Sequence, residues 1–198
     1  LPLATWTPAP TLSDIEAERM IQSLLKNNGG CRLPCWWGII PGKTTWEEAR
    51  QFLSTFATSI VQGSFSQTII EKIPHFSTNY SIHYKIPGIP DGGAVLISLT
   101  DGIVSTIAFG STSTSESFRL SQLLSKYGKP GKIFVETYQN LPYNPLPFTL
   151  VLYYPEFHFL ARFETYAQKE GSFLIGCPKM VNPYLVLWSA DRNVSDLD

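Results

Sequence analysis

The sequence is short of charge. Only 16% of its 198 residues are Asp, Glu, Lys or Arg, and 15 basic against 16 acidic residues leave a net charge of -1. The basic residues are scattered, so no patch forms to meet a phosphate backbone, and no nucleic-acid partner is expected. Long apolar runs are missing too. No stretch approaches the roughly 18 apolar residues that would span a membrane. Residues 1–12 have neither the basic start nor the apolar centre of a secretory signal. The first residue is Leu, so the chain reads as a mature or trimmed product from which a leader has been removed. Catalytic signatures are equally scarce. Gly110-Ser-Thr-Ser and Gly63-Ser-Phe-Ser are the nearest approaches to a nucleophile elbow, and neither has its second glycine. Gly42-Lys-Thr-Thr45 supplies only the end of a phosphate loop, because Trp37 stands where the first glycine belongs. His75, His83 and His158 have no ligand-like spacing to one another. No cofactor and no metal is expected.

What the chain does have is apolar and aromatic bulk: 43% hydrophobic and 13% aromatic residues, enough to fill a core. Residues 1–12, LPLATWTPAPTL, read as an extended tether. Ser13-Asp-Ile-Glu16 matches a capping box and opens a helix whose face is Ile15, Met20, Ile21, Leu24 and Leu25. Asn27-Asn-Gly-Gly30 ends it. Thr44-Thr-Trp-Glu47-Glu48 offers a second capping box in either of two registers, for a helix near 45–57. Strands follow at 67–74, 79–86, 94–99 and 103–109, with Gly88–Gly93 as a loop and Thr100-Asp-Gly102 as a hairpin turn. The pattern then restarts. Leu120, Leu123, Leu124 and Tyr127 make a helix stopped by Gly128-Lys-Pro130, and strands are expected at 132–137, 148–154, 157–164, 172–176 and 184–189. The expected class is α+β, with helices packed on one face of an antiparallel sheet in two helix-plus-β-meander halves. The halves divide as 13–110 and 111–190, preceded by the 1–12 tether and followed by a frayed tail at 191–198.

Three cysteines remain to be placed: Cys31, Cys35 and Cys177. The first two are spaced C-x3-C, unlike the C-x2-C of thiol oxidoreductases and zinc knuckles. Trp36 and Trp37 make the surroundings apolar, which disfavours a reactive thiolate. A structural disulfide is expected, in keeping with an exported protein. Either Cys31–Cys35 closes a small loop around Pro34, or a cysteine of this stretch joins Cys177. The long Cys35–Cys177 bridge is favoured, because it explains why Gly176-Cys-Pro178 interrupts a strand-rich region; Cys31 is then left over. Trp36 and Trp37, being consecutive, should point to opposite faces of an extended segment, one buried and one exposed.

Pro41-Gly-Lys-Thr-Thr-Trp-Glu-Glu-Ala49 and Leu120-Ser-Gln-Leu-Leu-Ser-Lys-Tyr-Gly-Lys-Pro130 resemble segments of small bacterial envelope lipoproteins. These belong to the β-lactamase-inhibitor-protein-like folds and the small outer-membrane assembly lipoproteins. Leu33-Pro-Cys-Trp-Trp-Gly38 is similar to a phrase in uncharacterised bacterial lipoproteins with Thr/Pro-rich tethers. The resemblance covers about 20 residues. It implies a fold, an envelope location with any membrane contact made through a removed or upstream lipid anchor, and protein binding without catalysis. The leading expectation is therefore a non-enzymatic exported domain that binds a protein or other macromolecule. Its anchors would be Tyr138, Tyr143, Tyr153, Phe157 and Trp37, since aromatic side chains dominate binding hot spots. Two rivals are a carbohydrate-binding module using Trp6, Trp36, Trp37 or Trp46, and a hydrolase site around Glu156, His158 and Glu164.

Overall fold

The computed structural model describes residues 11–63, 78–110, 118–137, 145–171, 173–176 and 183–191. Three α-helices lie among them: α1 (Asp14–Asn27), α2 (Trp46–Leu53) and α3 (Leu120–Tyr127). The strands are β1 (Ala57–Gly63), β2 (Thr78–Ile86), β3 (Ile89–Thr100), β4 (Ile103–Phe109), β5 (Lys132–Thr137), β6 (Leu146–Tyr154), β7 (Phe159–Glu170), β8 (Phe173–Gly176) and β9 (Tyr184–Trp188).

Both expected capping boxes are present. The Glu16 carboxylate accepts the Ser13 N–H at 3.0 Å. Of the two registers open to the second box, Thr45 is the cap. Its hydroxyl accepts the Glu48 N–H at 3.3 Å and its own N–H donates to the Glu48 carboxylate at 2.9 Å. Hydrogen bonds from the Ser13 hydroxyl and N–H to Glu16, and from the Thr45 N–H and hydroxyl to Glu48, favour the ionised form and hold both exposed carboxyls below the ordinary glutamate value. Thr44 instead accepts from Ile40 N–H. The helix stops at Leu53, earlier than expected, and a turn at 54–56 leads into β1.

The strands form one antiparallel sheet in the order β1-β2-β3-β4-β9-β7-β6-β5. β8 pairs with the far end of β7, on the edge opposite β6. The last long-range strand, β9, thus joins the β1–β4 meander to the β5–β7 meander. Thr100–Ile103 is the tight turn anticipated, with Asp101 and Gly102 both at positive φ. The expected loop at Gly88–Gly93 is a correction. Ile86 pairs with Ile89, so residues 89–93 are already strand. Glycine permits this, because a Cβ at Gly93 would strike the Tyr84 ring. The strand expected at 67–74 lies outside the described residues, as do the 1–10 part of the tether and most of the tail.

The three helices cover one face of the sheet. Ile21 of α1, Ala49 and Leu53 of α2, and Leu123 and Tyr127 of α3 share one buried cluster with that face. A directly opposed row, Ile82, Val95, Phe109, Leu185, Ala161 and Leu152, crosses six strands and is buried throughout. The opposite, outer face carries a smaller cluster of Ala108, Leu160, Val186 and Trp188, with Tyr153 and Tyr184 packed on it. No helix among the described residues is long and apolar enough to cross a membrane.

Candidate functional site

Two regions hold the residues singled out above: the Cys31–Trp37 loop and the outer face near β7 and β8. The loop is a clamp. Cys31 and Cys35 are bonded to each other, with their Cα atoms 5.7 Å apart, inside the usual range for a disulfide. The favoured Cys35–Cys177 bridge is therefore corrected: Cys35 already has its partner, and Cys177 lies outside the described residues. The reason is Asn28. Buried, and left-handed at φ 56°, it donates from Nδ2 to the Cys35 carbonyl at 2.8 Å and the Cys31 carbonyl at 3.1 Å. Its Oδ1 accepts the Trp37 N–H at 3.3 Å. One side chain so folds the loop back on itself and brings the two thiols together.

The tryptophans are a second correction. Trp36 and Trp37 do not diverge. They stack at 4.0 Å between ring centroids, and both are buried. Trp37 and Gly38 have φ of 54° and 88°, and Trp36 exchanges both backbone hydrogen bonds with Ile39. That is a tight reversal, which returns the chain before the pleat can send Trp37 outward. Trp37 packs on Phe56 and Tyr84 and cannot serve as an exposed binding anchor. Trp46 stacks on Tyr80 at 4.0 Å, half-buried, and Trp6 lies outside the described residues. The tryptophan platform of a carbohydrate-binding module is thus built into the core at Trp36 and Trp37. The Tyr127 hydroxyl accepts the Leu33 N–H at 3.1 Å and ties α3 to the clamp. Burial raises the Tyr127 pKa, and the Leu33 bond and the charge of Arg32 oppose this more weakly.

The expected aromatic anchors do not form one surface. Tyr153 lies on the outer face, stacked on Trp188 at 5.5 Å. Phe157 turns the other way and packs against Tyr127 at 5.2 Å, in the helix-side cluster. Tyr138 and Tyr143 lie outside the described residues. The trio Glu156, His158 and Glu164 is not brought together. Pro155–Phe157 is a 3-10 turn and not strand, so Glu156 and His158 do not share a pleat. Glu164 is six residues along from His158, about 20 Å at strand rise. His158 sits edge-on to Trp188, and Glu164 pairs with Arg162 at 3.1 Å. Among the described residues, no three His, Cys, Asp or Glu side chains converge as a metal site would need.

Sequence reasoning passed over the residues that the outer face does group. Tyr184 pairs with Arg162 across β9 and β7. Burial raises the Tyr184 pKa, and the Arg162 charge partly offsets it. Arg162 Nε is buried with no hydrogen-bond partner among the described residues. Farther along β7, Tyr166 is 65% exposed; beside it on β8, Phe173 and Ile175 are 72% and 54% exposed. Ile175 is directly opposite Gln168 and diagonal to Tyr166, while Phe173 is opposite Glu170. All three apolar side chains are therefore on the outer face, bordered by exposed Glu164 and Glu170. The strand expected at 157–164 stops short of Tyr166, whereas β7 continues to Glu170, and nothing local marks which end the rest of the chain leaves uncovered. A separate groove of about 290 Å³ lies under the start of α1, lined by Asp14, Ala17, Ile21, Phe56, Thr58 and Lys85. Two of its lining residues, Asp14 and Lys85, form an exposed ion pair at 3.7 Å.

No protein-family model, no curated protein and no solved structure matches the chain.

Proposed function

We propose that this chain is a non-catalytic, exported domain held at a bacterial envelope by a tether on its N-terminal side, and that the outer face of β7 and β8 docks a protein partner. The observation that carries the binding role is the grouping of Tyr166, Phe173 and Ile175, all more than half exposed, on one face of one hairpin. Isolated exposed apolar residues need no explanation, whereas a cluster of large ones marks an interaction site. Glu164 and Glu170 border the cluster, so the partner it fits presents apolar side chains flanked by Lys or Arg. The Cys31–Cys35 disulfide supports export, since such bonds persist in oxidising compartments. The resemblance to small envelope lipoproteins belongs to the same reading. In it, α1, α2 and β1–β4 form one helix-plus-meander half and α3 with β5–β9 the other, joined at β4–β9 as in β-lactamase-inhibitor-protein-like folds.

A photo-crosslinking residue at position 166 tests the reading, with position 47 on the exposed side of α2 as control. In the native host, position 166 is expected to capture a discrete protein that position 47 does not. Capture should weaken at high salt, because the bordering charges are exposed and screened, and in the Glu164→Lys/Glu170→Lys variant. Identical products from both positions, or capture indifferent to salt and charge reversal, would contradict it.

A further inference from the structure

The sheet ends at β5, and that edge has a feature that the β7–β8 face does not use. β5 pairs with β6 over six consecutive residues without a bulge, from Lys132 opposite Tyr153 to Thr137 opposite Phe148. No strand lies against its other edge among the described residues. Ile133 and Val135 are 56% and 62% exposed on it. A regular, exposed edge strand is a ready template for another strand, and proteins commonly blunt such edges with charged side chains, proline or a bulge. At the opposite end of the sheet, β1 has a bulge between Ala57 and Ser59. β5 has neither a bulge nor a proline; its only blunting device is its charge, Lys132 and Glu136. It has one charge of each sign, and they are placed symmetrically about Phe134.

That symmetry decides the occupant. In Lys132-Ile-Phe-Val-Glu136, an antiparallel copy centred on Phe134 sets Lys132 opposite Glu136, Ile133 opposite Val135, and Phe134 opposite itself. Each Lys132 then faces the Glu136 of the other copy, and the apolar pair repeats on each side of the axis. A parallel copy would set Lys132 against Lys132 and Glu136 against Glu136, which is unfavourable. Sliding the antiparallel copy by two residues leaves every charge opposite an uncharged residue. The parity also fits the fold. Lys132, Phe134 and Glu136 share the outer face with Tyr153, Val151 and Thr149, whereas Ile133 and Val135 share the helix face with Leu152 and Leu150. Pairing even residues with even keeps the helices of both copies on one side of a continuous sheet. We infer that the β5 edge is the interface of a two-fold symmetric homodimer, formed by antiparallel β5–β5 pairing in the register centred on Phe134. Such an interface is isologous and closes at two copies.

Sedimentation velocity on the full chain tests this. The wild type is expected to sediment as a species of twice the 22.2 kDa chain mass, dissociating on dilution. Val135→Lys should give the monomer, with near-ultraviolet circular dichroism unchanged because position 135 is exposed. Lys132→Glu turns both ion pairs into repulsions and should weaken dimerisation about tenfold. The doubly reversed Lys132→Glu/Glu136→Lys chain should recover it, which no general effect of charge would do. A wild type that stays monomeric up to its solubility limit overturns the inference. So does a dimer that ignores Val135→Lys, or one in which the double reversal fails to restore what the single reversal removed. None of these variants touches Tyr166, Phe173 or Ile175, so the result is independent of the docking face.

Discussion

Replacing Asn28 with alanine is expected to lower stability by about 3–4 kcal/mol, more than removing the disulfide beside it. Three hydrogen bonds, two of them buried, tie this side chain to the backbone: Nδ2 donates to the Cys31 and Cys35 carbonyls, and Oδ1 accepts the Trp37 N–H. Alanine removes all three partners and leaves the backbone groups unpaired, at about 1 kcal/mol each. It must also hold φ at 56° without the local side-chain hydrogen bonding that lets asparagine tolerate this region, which adds up to about 1 kcal/mol. Asn28→Gly separates the two contributions. It keeps the left-handed turn free of strain and should lose only the hydrogen-bond part, about 3 kcal/mol. By contrast, the Cys31–Cys35 bridge spans a sequence separation of four. Closing so short a loop restricts the unfolded chain little, so replacing both cysteines by alanine should cost about 2 kcal/mol. Urea denaturation of the three variants checks the order. If the cysteine variant proves the least stable, Asn28 does not organise the clamp.

Trp36→Ala should be at least as damaging, at about 4 kcal/mol, because a fully buried indole is replaced by a cavity. Trp36 stacks on Trp37 and lies 5.3 Å from Phe109, so it joins the clamp to β4 at the centre of the sheet. Its Nε1 has no hydrogen-bond partner among the described residues. Among the described residues the indole is held by packing alone, and a buried N–H without a partner is a burden. Trp36→Phe removes that orphan donor and keeps an aromatic ring, so it should cost about 1–2 kcal/mol, well below alanine. Equal losses for phenylalanine and alanine would mean that the N–H has a role that packing does not describe. Thermal unfolding followed by near-ultraviolet circular dichroism gives both numbers.

Much of the local structure is legible because its signals are local. The Ser13–Glu16 and Thr45–Glu48 boxes, the Asp101-Gly102 turn and the Gly128 stop each act within four residues. β2, β4, β5 and β9 fall within a residue or two of expectation for the same reason: their β-branched and aromatic residues are bounded by turn formers. β1 gives no such signal. Ala57-Thr-Ser-Ile-Val-Gln-Gly63 is an edge strand with a bulge, and its burial does not alternate. The insertion of β9 between β4 and β7 depends on pairings across the whole chain, and no short motif announces it. At the clamp, the local bridge wins over Cys35–Cys177 through Asn28, which the sequence shows only as a helix terminator. The pairing of Trp36 with Trp37 depends on Trp37 adopting positive φ, which is uncommon for a bulky residue. The docking candidates escaped notice because Tyr166, Phe173 and Ile175 look like ordinary strand residues. Their exposure depends on which face the helices cover and where the outer-face cluster stops.

The local Cys31–Cys35 disulfide closes the chain after its first helix, and the proposed export depends on that bond forming in the cell. Non-reducing peptide mapping of the protein taken from its native host tests this most directly, because trypsin cuts after Arg32, between the two cysteines. A linked pair of fragments carrying Cys31 and Cys35, which separate only on reduction, is the expected result. Three free thiols, or a fragment linking Cys35 to Cys177, would contradict it.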